Sequence, residues 1–145
     1  MWKGAAQQAC PEAEFDVPVD APTLRAAELQ LGRRLPAALA DLLQETNGIR
    51  GSYGLDTVWT LERIVADNLR FWSDPMFADL YMPFEPLLFF GDNGGGDQFA
   101  FVRVPDGRPD VFVWEHEDDS RRWVARDLRD YLDRSLRSEG DDWYQ

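Results

Sequence analysis

The sequence is poor in the residues from which most metal sites and nucleophilic active sites are assembled. Its 145 residues include one cysteine and one histidine. With Cys10 alone, no intrachain disulfide can close and no thiolate cluster can hold a metal, so a reducing compartment is expected. With His116 alone, an HExxH zinc site, a histidine-rich ligand set and a two-histidine facial triad are excluded. No apolar run approaches the roughly 20 residues that cross a bilayer. The N-terminus has no basic segment followed by an apolar stretch, so no secretory leader is read, and the cytoplasm is the expected location. Basic charge is scarce too: 15 Lys+Arg stand against 27 Asp+Glu, a formal net charge of -12. That field repels nucleic acid and anionic membranes, which need a basic footprint, and speeds association with a basic partner. Acidity alone, however, does no more than keep a chain soluble.

What the sequence does have is material for one core. Its length suits a single domain, and 44% of its residues are hydrophobic, with six Trp and nine Phe. Residues 1–22 mix Gly, Ala, Gln, Pro and acids and read as a loosely ordered lead-in, with Phe15 and Val17 able to reach the body. Residues 23–137 read as the domain and residues 138–145 as an acidic tail. Thr23 is placed to cap a helix carrying Leu24, Ala27 and Leu31, which Gly32 stops. In RRLPAALADLLQETNG, Pro36 suits a first helical position and Leu35, Leu39, Leu42 and Leu43 recur at helical spacing. Asn47 and Gly48 then suit a left-handed C-terminal turn. Tyr53 to Trp59 reads as a short extended segment. Thr60 caps a third helix with Leu61, Ile64, Val65, Asn68 and Leu69 on one face, closed by Phe71 and Trp72. Pro75, Pro83 and Pro86 punctuate the stretch after it.

From Leu87 the period changes. LLFFG, QFAFVRV and DVFVWEH are short runs rich in Phe, Val and Trp, the composition of strands. DNGGGD joins the first two, and PDGRP, centred on Asp106-Gly107, is a hairpin signal between the second and third. After EHEDDS a final helix is expected to carry Val124, Leu128, Tyr131, Leu132 and Leu136. Helices, then an antiparallel meander, then a closing helix define an α+β fold.

The search for chemistry returns little. His116, among Glu115, Glu117, Asp118 and Asp119, reads as a surface residue at a strand end rather than a base. Cys10 shows no local sign of activation. GDNGGGDQ lacks the Lys and Ser/Thr of a phosphate loop, and Asp92 and Asp97 bring negative charge where a phosphate needs bare amides. The twelve-residue calcium loop is missing as well. A paired-carboxylate hydrolase stays open as a remote alternative, because the separation of such a pair is a three-dimensional fact. Trp123, Trp143 and Tyr144 read equally as interface anchors or as cover for the core edge.

The order of these features resembles the SUKH superfamily, which includes the fungal Smi/Knr cell-wall regulators. The resemblance rests on Leu35-Pro36 opening a helix that ends in Asn47-Gly48, and on the Leu61–Leu69 helix with Asn68. It continues through LLFFG, the Gly95-Gly96-Asp97 loop, DVFVWEHED with Val111, Trp114 and His116, and the closing helix with Leu128 and Leu132. It implies an antiparallel sheet flanked by helices and no shared catalytic residues. It also implies an immunity protein that neutralises a toxin, often a nuclease with a basic surface, or else a regulatory or scaffolding module of the cell-wall type. The expectation is therefore a protein-binding module, not an enzyme, with no cofactor and no metal. Its partner would be a protein, in particular a basic toxin domain, rather than nucleic acid or membrane. The candidate surface is Asp92, Asn93 and Asp97 in the glycine loop with Glu115, Glu117, Asp118 and Asp119 at the strand end. Whether loop and strand end share an edge is left open by the sequence.

Overall fold

The computed structural model describes residues 1–102 and 108–145. The elements are α1 (Trp2–Ala9), β1 (Glu14–Phe15), α2 (Ala21–Leu31), α3 (Ala37–Glu45), β2 (Ile49–Arg50), β3 (Asp56–Val58), α4 (Leu61–Ser73), α5 (Pro75–Leu80), β4 (Leu87–Asp92), β5 (Gln98–Val102), β6 (Val111–Glu115), β7 (Ser120–Ala125) and α6 (Leu128–Arg137). Both sheets are antiparallel: a small one in the order β1-β2-β3 and a meander in the order β4-β5-β6-β7. The fold is α+β. Among the described residues, no helix is long and apolar enough to cross a membrane.

The meander is buried on both faces, which is why its central strands read as nearly continuous apolar runs rather than alternating ones. Phe89 turns to a cluster with Phe71 of α4, Phe84 and Trp114. Its neighbour Phe90 turns the other way, onto Phe101 and Tyr131 of α6. Phe99 joins that second cluster, and the small Ala100 pairs opposite Phe89. The two sheets meet where Trp59 N–H donates to the Phe90 carbonyl at 2.7 Å and the Tyr131 hydroxyl donates to the Thr57 carbonyl at 2.6 Å. Gly91 lies in this seam, and a Cβ there would overlap the Thr57 carbonyl and stand 2.8 Å from the Tyr131 hydroxyl.

α4 runs as expected from its Thr60 cap, whose oxygen accepts from Arg63 N–H at 3.3 Å. Its inward face holds one polar residue, the fully buried Asn68. Asn68 accepts from Phe89 N–H and donates to the Phe89 carbonyl, both at 2.8 Å, so a helix side chain pairs with β4 as another strand would. A buried amide is tolerable because its bonds are made.

Several expectations are corrected. The lead-in is a packed part of the domain: Trp2, Ala6 and Cys10 are buried, α1 lies against α3 and α6, and Glu14 and Phe15 pair with Arg50 and Ile49. Glu45, at the end of α3, accepts from the N–H groups of Trp2 and Lys3 at 2.9 and 3.2 Å, fastening the first turn of α1 from 43 and 42 residues away. α2 begins earlier, capped by Asp20 accepting from Thr23 N–H at 2.8 Å, while Gly32 does end it. Pro36 stands just before α3, not in it, and α3 ends at Glu45 with Thr46 extended. Gly48 has a positive φ of 95°, but it lies beyond that terminus. Asn47 serves α4 instead, its Oδ1 accepting from Leu61 N–H at 2.7 Å and its Nδ2 donating to Glu62. Val124 sits on β7, a fourth strand, and α6 begins only at Leu128. The tail packs too: Tyr144 is buried in the core, and the half-buried Trp143 stacks on Phe99 and covers its edge. The short helix α5 falls in the proline-punctuated stretch. The Asp106-Gly107 centre of the hairpin signal lies outside the described residues.

Candidate functional site

Consecutive strands of a meander reverse direction, so its first and third turns lie at the same end. The glycine loop and the β6–β7 turn are therefore neighbours, and the open question about their common edge is answered. Register places Gln98 opposite both Asp92 and Trp114, and Glu115 opposite Ser120.

Asp97 joins the two turns. It is 6% exposed, and its Oδ1 accepts from His116 N–H at 3.0 Å and contacts His116 Nδ1 at 2.6 Å. Its Oδ2 accepts from the Tyr144 hydroxyl at 2.6 Å. Burial works to raise its pKa, but the bonds from Tyr144 and His116 outweigh it and hold the carboxyl below the usual range. Burial, reinforced by the same carboxylate, pushes the Tyr144 phenol well up, so it stays a neutral donor. Asn93 completes the loop: Oδ1 accepts from Gly95 and Asp97 N–H, while Nδ2 donates to the Tyr144 oxygen at 2.6 Å. Gly96 passes so close to His116 that a Cβ would lie 2.9 Å from its ring, at a φ of +111°.

Around this hub is an open groove of about 350 Å³ lined by Asn93, Asp97, Glu115, His116, Glu117, Asp118, Asp142, Gly95 and Gln145. Five of the seven sequence-selected residues line it, and two do not. Asp92 turns away, its Oδ2 accepting from Trp59 Nε1 at 2.8 Å and pairing with Arg63 at 3.1 Å. Asp119 accepts from Trp114 Nε1 at 2.7 Å and Met82 N–H at 2.9 Å and pairs with Arg121. Within the groove Glu115 is committed as well, to Arg122 and Ser120. Glu117 and Asp118 are exposed; Asp118 accepts from Ser120 N–H, and Glu117 bonds to no described residue.

Three residues belong to this end that the sequence reading did not select. Asp142 and Gln145 line the groove from the tail. Tyr53 is 91% exposed and holds a left-handed φ of 60°, rare for a residue with a Cβ. Its ring lies beside the tail turn, since a Cβ on Gly140 would be 3.0 Å from it, and Leu55 bridges from there to Gly94 of the loop. An aromatic residue framed by glycines in Gly51-Ser52-Tyr53-Gly54 was the available signal.

Chemically, this end is a set of ionised carboxylates. Hydrogen bonds from Ser120 lower the Asp118 pKa too, which is the opposite direction from a general acid. Among the described residues, no three His, Cys, Asp or Glu side chains are gathered so as to hold a metal ion.

These features define a small α+β domain whose most distinctive surface is an acidic, hydrogen-bond-braced end of a four-stranded meander. The chain belongs to the SMI1-KNR4 cell-wall family, a SUKH family whose model matches residues 22–132, more than half of the sequence. A search of curated proteins found no match.

Proposed function

We propose that this domain is a protein-binding module of the immunity type, which neutralises a cognate toxin by covering its basic surface with the acidic end of the meander. The observation that carries the reading is the convergence of the glycine loop, the β6–β7 turn and the tail on one groove. There the fixed carboxylates of Asp97 and Glu115 lie behind the exposed Glu117 and Asp118. A braced array loses little entropy on binding, and its charge both steers a basic partner and repels wrong ones. Tyr53 supplies an exposed aromatic side chain of the type that anchors interfaces. Asp97 and Asp118 have lowered rather than raised pKa values, which is support for binding over acid catalysis.

The test is capture from the source cell with this protein as bait, washed at low and at high salt. A single basic polypeptide released by salt, whose activity the purified protein inhibits, supports the reading. Retention indifferent to salt, or recovery of a partner without toxic activity, overturns it. The second outcome favours the alternative that the family's cell-wall description suggests, a regulatory or scaffolding module working through the same surface.

A further inference from the structure

The opposite end of the meander carries a different surface. A cleft of about 370 Å³ opens between the start of α3 and the ends of β4 and β5. Its floor is apolar: Leu88, Phe101 and Leu128 are buried, with Leu35, Pro36 and Ala38 forming one wall. In a chain of net charge -12, the charged residues lining this cleft are, among the described residues, all arginines: Arg33, Arg34 and Arg108. Arg33 is occupied, stacked on Trp72 and paired with Glu85, and Arg108 pairs with Asp110 at 3.5 Å. Arg34 is exposed and makes no ion pair with a described residue. The wall between them is the first turn of α3, whose N-cap is Pro36 and therefore has no capping side chain. The N–H groups of Ala37 and Ala38 bond to no described residue, and Glu28, the nearby acid, is spent on Leu35 N–H at 2.8 Å. Beyond Arg108 lies a depression lined by Val102, Phe112, Trp123 and Asp110, with Trp123 49% exposed and donating to the Asp110 carboxylate.

From this charge complementarity we infer that the cleft is a second docking site, separate from the acidic end, for a protein segment that presents apolar side chains next to a carboxylate. The apolar side chains would fill the floor over Leu88 and Phe101. The carboxylate would lie between the Arg34 guanidinium and the unmet amides of the α3 first turn, where helix polarity favours negative charge. The volume falls at the small end of ligand-sized clefts, roughly 300–1,000 Å³, which suits one or two large side chains rather than a whole helix. A module with two sites of opposite charge can hold a basic partner and an acidic one together. Nothing in the acidic end is required for this second site to work.

The test uses the full chain and a fluorescein-labelled hexapeptide of alternating Leu and Glu, read by anisotropy. Binding is expected at a Kd on the order of 100 µM. It should weaken about tenfold with a Leu/Ser peptide and with Arg34→Glu, as loss of a charged partner predicts. It should vanish with Ala38→Trp, which fills the cleft from a partly exposed helix position, and persist with Glu117→Lys/Asp118→Lys. Circular dichroism and the urea midpoint of each variant establish that it is folded. Absence of binding up to about 1 mM, equal binding of the Leu/Ser peptide, or binding that survives both Arg34→Glu and Ala38→Trp overturns the inference. Saturation by octanoate with no binding of peptide overturns the protein occupant as well.

Discussion

At the Asp97 end of the meander, a carboxylate that is 6% exposed takes bonds from His116 and Tyr144, and Asn93, Glu115, Asp92 and Asp119 are each engaged with named partners. At the Leu88 end there is an apolar floor, an uncapped helix start and Arg34 with no ion pair among the described residues. The acidic end looks functional in sequence because it is dense in carboxylates, yet most of those carboxylates are consumed in holding their own turns. The other end looks ordinary in sequence because the described charges that line its cleft are arginines scattered between an Arg-Arg pair and a loop. Unspent bonding capacity, rather than the density of charged residues, separates surface available to a partner from surface that is architecture.

Both ends hang on the seam between the two sheets, so the largest effect is expected there. Gly91→Ala would drive a methyl into the Thr57 carbonyl and the Tyr131 hydroxyl, both of which are fixed by a bond to each other. Relief requires β3 and β4 to part, and the expected cost is about 3 kcal/mol, at the upper end of what overpacking ordinarily costs because the obstacle is backbone. Urea unfolding should show a much lower midpoint, with the Leu88 cleft and the acidic groove lost together. A midpoint near that of the wild type would mean that the sheets are not rigidly joined, and the two ends could then not be compared as parts of one frame.

Asp97→Asn discriminates between the ends. It keeps the size of the side chain but replaces a charged acceptor of bonds from His116 and Tyr144, at an expected cost of about 2 kcal/mol. The native carboxyl is held below its unfolded value, so between the two values the unfolded chain binds the extra proton and stability rises with pH. The contribution is complete above the ordinary carboxyl pKa of about 3.9 and disappears as pH falls through the depressed native value. The wild type should therefore exceed the variant in urea midpoint at pH 7, and the gap should narrow below about pH 4. A gap that stays constant with pH would show that the loss is one of packing and not of charge.

Local signals in the sequence were legible where the partner of a residue is close by in the chain. Thr60 caps α4, Gly32 ends α2, and the Phe-rich runs are strands because each depends on neighbours a few residues away. The errors have long-range causes. Residues 1–9 carry weak helix signals, but Glu45 completes their first turn and α6 covers them, neither of which a local pattern records. Asn47-Gly48 looks like a helix stop, but Asn47 instead caps the next helix, 14 residues on. Val124 has the spacing of α6 yet lies in β7, at the bulge between Trp123 and Ala125, because Ser120–Ala125 completes the sheet beside β6. For the site, the sequence selected residues by charge and could not tell Asp92 and Asp119, which are tied to Trp59 and Trp114, from Glu117, which is tied to nothing described. Tyr53 was missed because the selection followed charge; the flanking glycines marked a turn, but its left-handed backbone and its exposure appear only in the fold.

The smallest effect on stability and the sharpest on binding should come from Glu117→Lys with Asp118→Lys. Both residues are exposed, Glu117 has no bond to a described residue to lose, and Asp118 gives up one bond, to Ser120 N–H at 2.9 Å. The stability measured by urea should move by less than about 0.5 kcal/mol, as for surface positions away from caps and cores. Affinity for a basic partner should nevertheless fall by about tenfold, mostly through the association rate, and the dependence of binding on salt should flatten, since exposed charges act by steering more than by contact. Surface plasmon resonance across a salt series separates these outcomes. Unchanged affinity and an unchanged salt slope would mean that the groove around Asp97 is architecture throughout, and the search for the partner's footprint would move to the arginine-rimmed cleft at the other end.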